Sequence, residues 1–328
     1  MANNFIIKNS INLASPVLGT KIYKFSDQFF APALRILNDN DPIFIEGKFD
    51  SHGKWMDGWE TRRKRINGND FLIIKLGKSG KINHILIDTS FFNGNQPEYA
   101  SIDGCYTKEK KLNNIPWTNI LNKKKLNPNK KHFYKSLTNK TFNYIRLNIF
   151  PDGGVARLRL MGDIDLSKEK LTNKKYDLAS ILNGSKIIAC SDEHFGKAEN
   201  LLSPGKSKNM GNGWETKRRR GSGYDWVIIK LGHIGKINSF EVNTHFFKGN
   251  YPAYFSIQAS LLIKNKSIKK IITESTKWQI IVKDTKHKPN STLLINNKLF
   301  LNKKINMLKL NIFPDGGISR FRAYGKIL

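Results

Sequence analysis

The chain is written twice. LASPVLGTKI (13–22) is answered by LASILNGSKI (178–187), and GNDFLIIKLGKSGKIN (68–83) by GYDWVIIKLGHIGKIN (223–238). DTSFFNGNQPEYASI (88–102) returns as NTHFFKGNYPAYFSI (243–257), and RLNIFPDGGVARLRLMG (146–162) as KLNIFPDGGISRFRAYG (309–325). Each copy is about 160 residues, too long for a solenoid repeat and long enough for a core of its own. Two domains are therefore expected, residues 1–168 and 169–328, meeting in the polar stretch DLSKEKLTNKKYD. The first copy carries an extra stretch around FIEGKFDSHGK, and the second a longer Lys-rich segment ahead of its FPDGG block. Polar insertions of this kind are loops on a shared frame.

Each copy reads as β. FLIIKLG and WVIIKLG are short apolar runs rich in Ile and aromatics. In ARLRLMG, Ala156, Leu158 and Leu160 fall on one side of a strand and Arg157 and Arg159 on the other, and SRFRAYG repeats the pattern. Turn signals are dense, as in GKSGK, NGNQP and PDGG. PALRILN and NLLSPG could start short helices, but no long segment has helical periodicity. The expected fold is all-β, two tandem β-sandwiches.

The net charge is +30, which raises nucleic acid or a membrane surface as partners. Its make-up argues otherwise. Of 56 basic residues 44 are Lys, scattered among Asn and Ile in the manner of solvated loops. Eleven of the 12 Arg lie inside the repeated motifs. Arg offers a planar, bidentate fork that Lys cannot imitate. These arginines either brace the fold against Asp and Glu or present a site for a small anion. No apolar run is long enough for a membrane helix, and the N-terminus lacks the pattern of a signal peptide. Two cysteines without metal-type spacing suit a reducing, cytoplasmic setting.

The most specific block is GWETRRKR (58–65), repeated as GWETKRRR (213–220). Structurally, Trp59 and Trp214 plug a core edge while Glu60 and Glu215 pair with Arg. Functionally, the block offers bidentate Arg to a carboxylate and carboxylate acceptors to amide or urea N–H groups. His245, between Asn243 and Phe246, is a candidate general base or metal ligand. Its counterpart is Ser90, while Asp57 faces Asn212 and Asp88 faces Asn243, so the two copies are expected to contribute unequally. No GxSxG, HExxH, Walker A or GxGxxG element is present. Activated water is thus a better expectation than a covalent intermediate.

The ordered set DGWETRR, GxDF-IIKLG, DTSFF-GN-P and the FPDGG block with its trailing Arg resembles the allantoicase (allantoate amidinohydrolase) family, twice, from about Leu13 to Gly325. The resemblance implies a repeated jelly roll of the galactose-binding-like type. It implies hydrolysis of allantoate to ureidoglycolate and urea in purine breakdown through ureides, by a homo-oligomer. A divalent metal such as Mn²⁺ is associated with some members, and no compact ligand cluster here identifies its ligands. On that substrate, Arg62, Arg63, Arg218 and Arg219 would clamp the carboxylate. Glu60, Glu215, Asp192 and Glu193 would accept ureido N–H groups, and His245 would handle the proton. Trp59, Trp214, Asp57, Asp88, Asp152, Asp315 and Arg320 complete the expected substrate-binding set. The chain departs from the family pattern at Gln28, Asn69, Tyr224, Asn212 and Asn243, where acids or histidines are usual. Two other readings stay open: a non-catalytic small-anion or carbohydrate binding module on the same scaffold, and nucleic-acid binding, which the sequence does not favour.

Overall fold

The computed structural model describes residues 9–109, 111–168, 175–264, 266–296 and 303–328. The chain divides into two compact units, Ser10–Lys168 and one holding Glu169–Leu328. Residues 169–174, on which the expected domain boundary falls, lie outside the described residues.

Each unit is an antiparallel jelly-roll sandwich built around one 19-residue strand, Asp70–Asp88 or Asp225–Asn243. The first half of Asp70–Asp88 pairs with Lys21–Phe25 and with Thr141–Phe150. Its second half pairs with Lys131–Lys135 and Arg157–Ile164. Bulges between Phe142 and Tyr144 and between Met161 and Gly162 accompany the passage from one layer to the other. Tyr99–Cys105 and Thr118–Lys125 extend the first layer, and Ile11–Asn12 edges the second. The second unit repeats this strand order. Its Lys-rich insertion adds the one α-helix among the described residues, Ile268–Ser275, with the Ser267 side chain accepting from Lys270 N at the N-cap.

The apolar run FLIIKL lacks polar alternation because both of its faces are covered. Leu72 and Ile74 are fully buried in the sandwich, while Ile73 packs on the outside with Cys105, Tyr144, Phe71 and Trp117. Alternation holds where one face is polar: Ala156, Leu158 and Leu160 are fully buried, and Arg157 and Arg159 take the other side. PALRILN and NLLSPG form short 3₁₀ helices, Ala33–Leu37 and Ala198–Leu202.

The FPDGG turn is locked onto the FxGN turn in each unit. Gly154 N donates to Asn95 O at 2.7 Å, and a Cβ on Gly154 would stand 2.0 Å from the Phe92 ring. Gly317 has the same relation to Asn250 and Phe247, again 2.7 and 2.0 Å. Only glycine leaves room for the ring there.

Candidate active site

The WET block is pinned to this corner by a two-residue ladder, Trp59–Glu60 against Gly154–Val155 and Trp214–Glu215 against Gly317–Ile318. Trp59 and Trp214 are fully buried, and their Nε1 groups donate to Asp27 O and Asp192 O, each at 2.8 Å. Asp152 accepts from Lys64 N at 2.7 Å and Asp315 from Arg219 N at 2.8 Å. Asp192 accepts from Lys217 N at 2.9 Å. Glu193 accepts from Ala198 N at 3.3 Å. Arg62 pairs with Asp27 at 3.1 Å and lies over the Phe29 ring. Arg219 pairs with buried Asp225. Arg63 and Arg218 are exposed.

Glu60 is 9% exposed and accepts from Asn95 Nδ2 at 2.8 Å, as Glu215 does from Asn250. Burial raises the Glu60 carboxyl above the ordinary glutamate value, and the Asn95 bond only partly opposes this. A carboxyl whose pKa is raised by folding stabilises the folded state most below its unfolded pKa and loses that advantage as pH rises through the folded pKa. Glu60→Gln is therefore expected to raise the melting midpoint near neutral pH and to leave it unchanged below pH about 4. Melting curves of both proteins across that range check the sign.

Arg157 is 1% exposed and pairs with Asp57 at 2.6 Å, also donating to Asp57 O and Asn40 O. Asp88, its cross-strand neighbour, is buried and accepts from Ser90 N at 2.8 Å. In the second unit Arg320 meets backbone carbonyls among the described residues, including those of Asn212 at 2.6 Å and Gly205 at 3.2 Å. Burial and the neighbouring Arg322 push its guanidinium down to about 10.

His245 is half-buried at the end of Asp225–Asn243, with Nε2 2.9 Å from Thr292 Oγ1. That hydroxyl donates to Asn243 Oδ1, which leaves its oxygen to face His245 Nε2. The structure thus groups Trp59, Glu60, Arg62 and Asp152 at one corner of the first unit and Asp57 and Asp88 around Arg157. Trp214, Glu215, Asp192, Arg219 and Asp315 form the matching corner of the second.

The concave polar surface lies on other residues. A cavity of about 390 Å³ opens on the outer face of the first unit. Its floor is Phe71, Ile73 and Phe150, and Lys24, Asn69, Arg146 and Asn148 give its polar lining. Arg146 stacks on Trp117 at 4.6 Å and pairs with Asp103 at 2.9 Å. Asp103 is saturated: it also accepts from Asn148 Nδ2 at 3.0 Å and Asn119 Nδ2 at 3.2 Å. It therefore fixes the guanidinium rather than moving protons. Asn148 spends its Nδ2 on Asp103 and Ser101, and Asn69 donates its Nδ2 to Asp70 O at 3.0 Å. Both carboxamide oxygens remain to accept bonds. The cavity thus joins two cations and two amide acceptors over an apolar floor.

Sequence reasoning did not assign these residues to the site. Arg146, Asn148 and Phe150 alternate with buried Leu147 and Ile149, so their shared face is readable. That Asp103 and Asn69 join them depends on strand register, Arg146 opposite Asp103 and Asn148 opposite Phe71.

Among the described residues, no group of three or more His, Cys, Asp or Glu side chains converges as a divalent metal needs. The described residues therefore do not fit a Mn²⁺ site of that kind.

The chain matches the allantoicase repeat family over residues 11–165 and again over 176–328. It is 46% identical over 322 residues to a probable allantoicase of Acinetobacter baumannii (strain AYE), covering 98% of this chain and 95% of that one. It is 44% identical over 319 residues to a probable allantoicase of Pseudomonas fluorescens (strain Pf0-1), covering 97% and 96%. The crystal structure of allantoicase from Saccharomyces cerevisiae superposes with a TM-score of 0.82 at 33% identity, over 99% of this chain and 97% of that one. The chain belongs to the allantoicase family.

Proposed function

We propose that this chain is a hydrolase that converts allantoate and water to ureidoglycolate and urea, and that the first-unit cavity receives the substrate. The carrying observation is family membership across both repeats together with a cavity whose groups match the substrate's. Allantoate bears one carboxylate and two ureido groups on one carbon. Arg146 and Lys24 suit the carboxylate. The oxygens of Asn148 and Asn69 suit ureido N–H donors, and Phe71 and Phe150 give the substrate's carbon an apolar floor. Water's oxygen bonds to that carbon, the carbon–nitrogen bond breaks, and the proton from water leaves on urea. A site built on these bonds rejects analogues that lack the carboxylate or a ureido N–H. His245, Glu215, Asp192 and Glu193 belong to the second unit and Glu60 lies outside the cavity lining, so none of them takes a step in the first-unit cavity.

Urea release from allantoate by the purified chain, with and without EDTA and Mn²⁺, tests the reading. Saturable release supports it, and its response to chelation decides metal dependence. Folded protein that releases no urea under any of these conditions contradicts it. Asp103→Asn would weaken the fix on Arg146 without touching substrate. We expect kcat/KM to fall about tenfold, mostly through KM, with partial recovery in Asp103→Glu.

The same reading places the enzyme in the cytoplasm, in purine and allantoin degradation, as a homo-oligomer. Cys105 and Cys190 form no disulfide among the described residues, which suits a reducing compartment. Exposed Phe29, Phe44, Phe49 and Phe195 supply apolar surface for assembly. Motif arginines committed to the chain's own carboxylates and carbonyls argue against nucleic acid as a partner.

A further inference from the structure

The second unit carries counterparts of the cavity's residues, and two aromatic rings, Tyr224 and Trp226, stand against its lysine. Lys309 stands where Arg146 stands, Asn311 where Asn148 does, and Gln258 replaces Asp103. Tyr224 and Trp226 replace Asn69 and Phe71. Trp226 is further backed by a cluster of Ile188, Ile228, Ile271 and Met307 that includes the insertion helix.

One acceptor under this cover, Asn311 Oδ1, is unsatisfied, and the lysine beside it lacks an anion. Lys309 is 2% exposed and has no ion pair or hydrogen bond among the described residues. Its ammonium meets only ring faces, Trp226 at 5.4 Å and Tyr224 at 5.8 Å. Gln258 offers no charge, and its Nε2 already donates to Trp278 O at 2.9 Å. Asn311 is 4% exposed. Its Nδ2 donates to Gln258 Oε1 at 3.0 Å and Ser256 Oγ at 3.3 Å, while Oδ1 is buried with no partner. The empty acceptor is costly to bury, and a lysine without an anion stands two residues away on the same strand face. Burial lowers the Lys309 pKa from the ordinary lysine value, the direction expected of a cation lacking an anion.

A ligand that presents a carboxylate to Lys309 and an N–H to Asn311 Oδ1 satisfies both. Tyr224 is the movable part of the cover: it is 36% exposed and rests at a tilt on Phe313, ring centroids 4.9 Å apart. We propose that the second unit holds a second binding site, capped by Tyr224 and Trp226, for a small carboxylate that carries an N–H donor. The ligand's chemistry rests on the functional reading above. The site itself is tested by binding, where turnover plays no part.

The probe is N-carbamoylglycine, one carboxylate and one ureido group, titrated calorimetrically into the full chain carrying Arg146→Ala to disable the first cavity. One saturable site per chain is expected to remain. Adding Lys309→Met should weaken it at least about tenfold, and acetate or urea alone should bind at least about tenfold more weakly. Tyr224→Ala should tighten binding several-fold, and this arm decides if the Lys309 variant does not fold. No saturable binding in the Arg146→Ala chain, or binding unmoved by Lys309→Met and Tyr224→Ala, overturns the proposal. Retained binding in a chain that releases no urea from allantoate would support this site while contradicting the hydrolase reading.

Discussion

Replacing Arg146 with alanine is expected to lower kcat/KM for allantoate by roughly 10²–10³-fold and to leave the fold nearly as stable as before. The asymmetry follows from position. The side chain is 33% exposed on a sheet's outer face, so little core packing is lost. Asp103 keeps Asn148 and Asn119 as donors and is not stranded. What disappears is the oriented guanidinium at the cavity wall. Arg146→Lys would keep the charge but lose the two-point hold on Asp103 and much of the stacking on Trp117. We expect it to recover less than about a tenth of the lost activity. Full activity in Arg146→Ala would move the chemistry away from this cavity.

The largest stability loss is expected at Arg157. It sits with Asp57 at 2.6 Å, the two side chains 1% and 9% exposed. Arg157→Met should cost about 3–5 kcal/mol, because it leaves a buried carboxylate with too few donors. Ile43 N, at 3.0 Å, is the donor that would remain to it. It also strands the carbonyl of Asp57, whereas Asn40 O keeps Arg159 Nη2 at 3.2 Å. The second unit shows the same arginine without the acid: Arg320 faces Asn212 and is held by backbone carbonyls. Asn212→Asp should accordingly stabilise the second unit if the new carboxylate turns from Lys208 N to Arg320, as Asp57 meets Arg157 in the first. Urea unfolding of both variants checks both signs. A loss below about 1 kcal/mol in Arg157→Met would mean that the pair is a surface-type ion pair despite its burial.

The duplication and the β class were legible because the physics behind them is local. Period-two alternation at Ala156–Leu160, glycine-rich turns and repeated motifs all show in the chain itself. The bracing side of the WET block was legible too. Trp59 does plug a core edge, although Glu60 is met by Asn95 rather than by arginine. The cavity was not legible, because its members come from four strands and a turn: Lys24, Asn69 and Phe71, Asp103, and Arg146 with Asn148. Only register brings them together. The motif arginines drew attention by their density. In the fold, Arg62, Arg157, Arg219 and Arg320 each meet the chain's own carboxylates or carbonyls; Arg146 is likewise paired, with Asp103, but it alone of these lines the cavity.

The most direct measurement is a crystal structure of the full chain with N-carbamoylglycine, which carries allantoate's carboxylate and one ureido group. The account predicts the carboxylate within hydrogen-bonding distance of Arg146 or Lys24, and the ureido N–H groups on the oxygens of Asn148 or Asn69. A ligand ordered only at other residues, with the first-unit cavity left empty at saturating concentration, would contradict it.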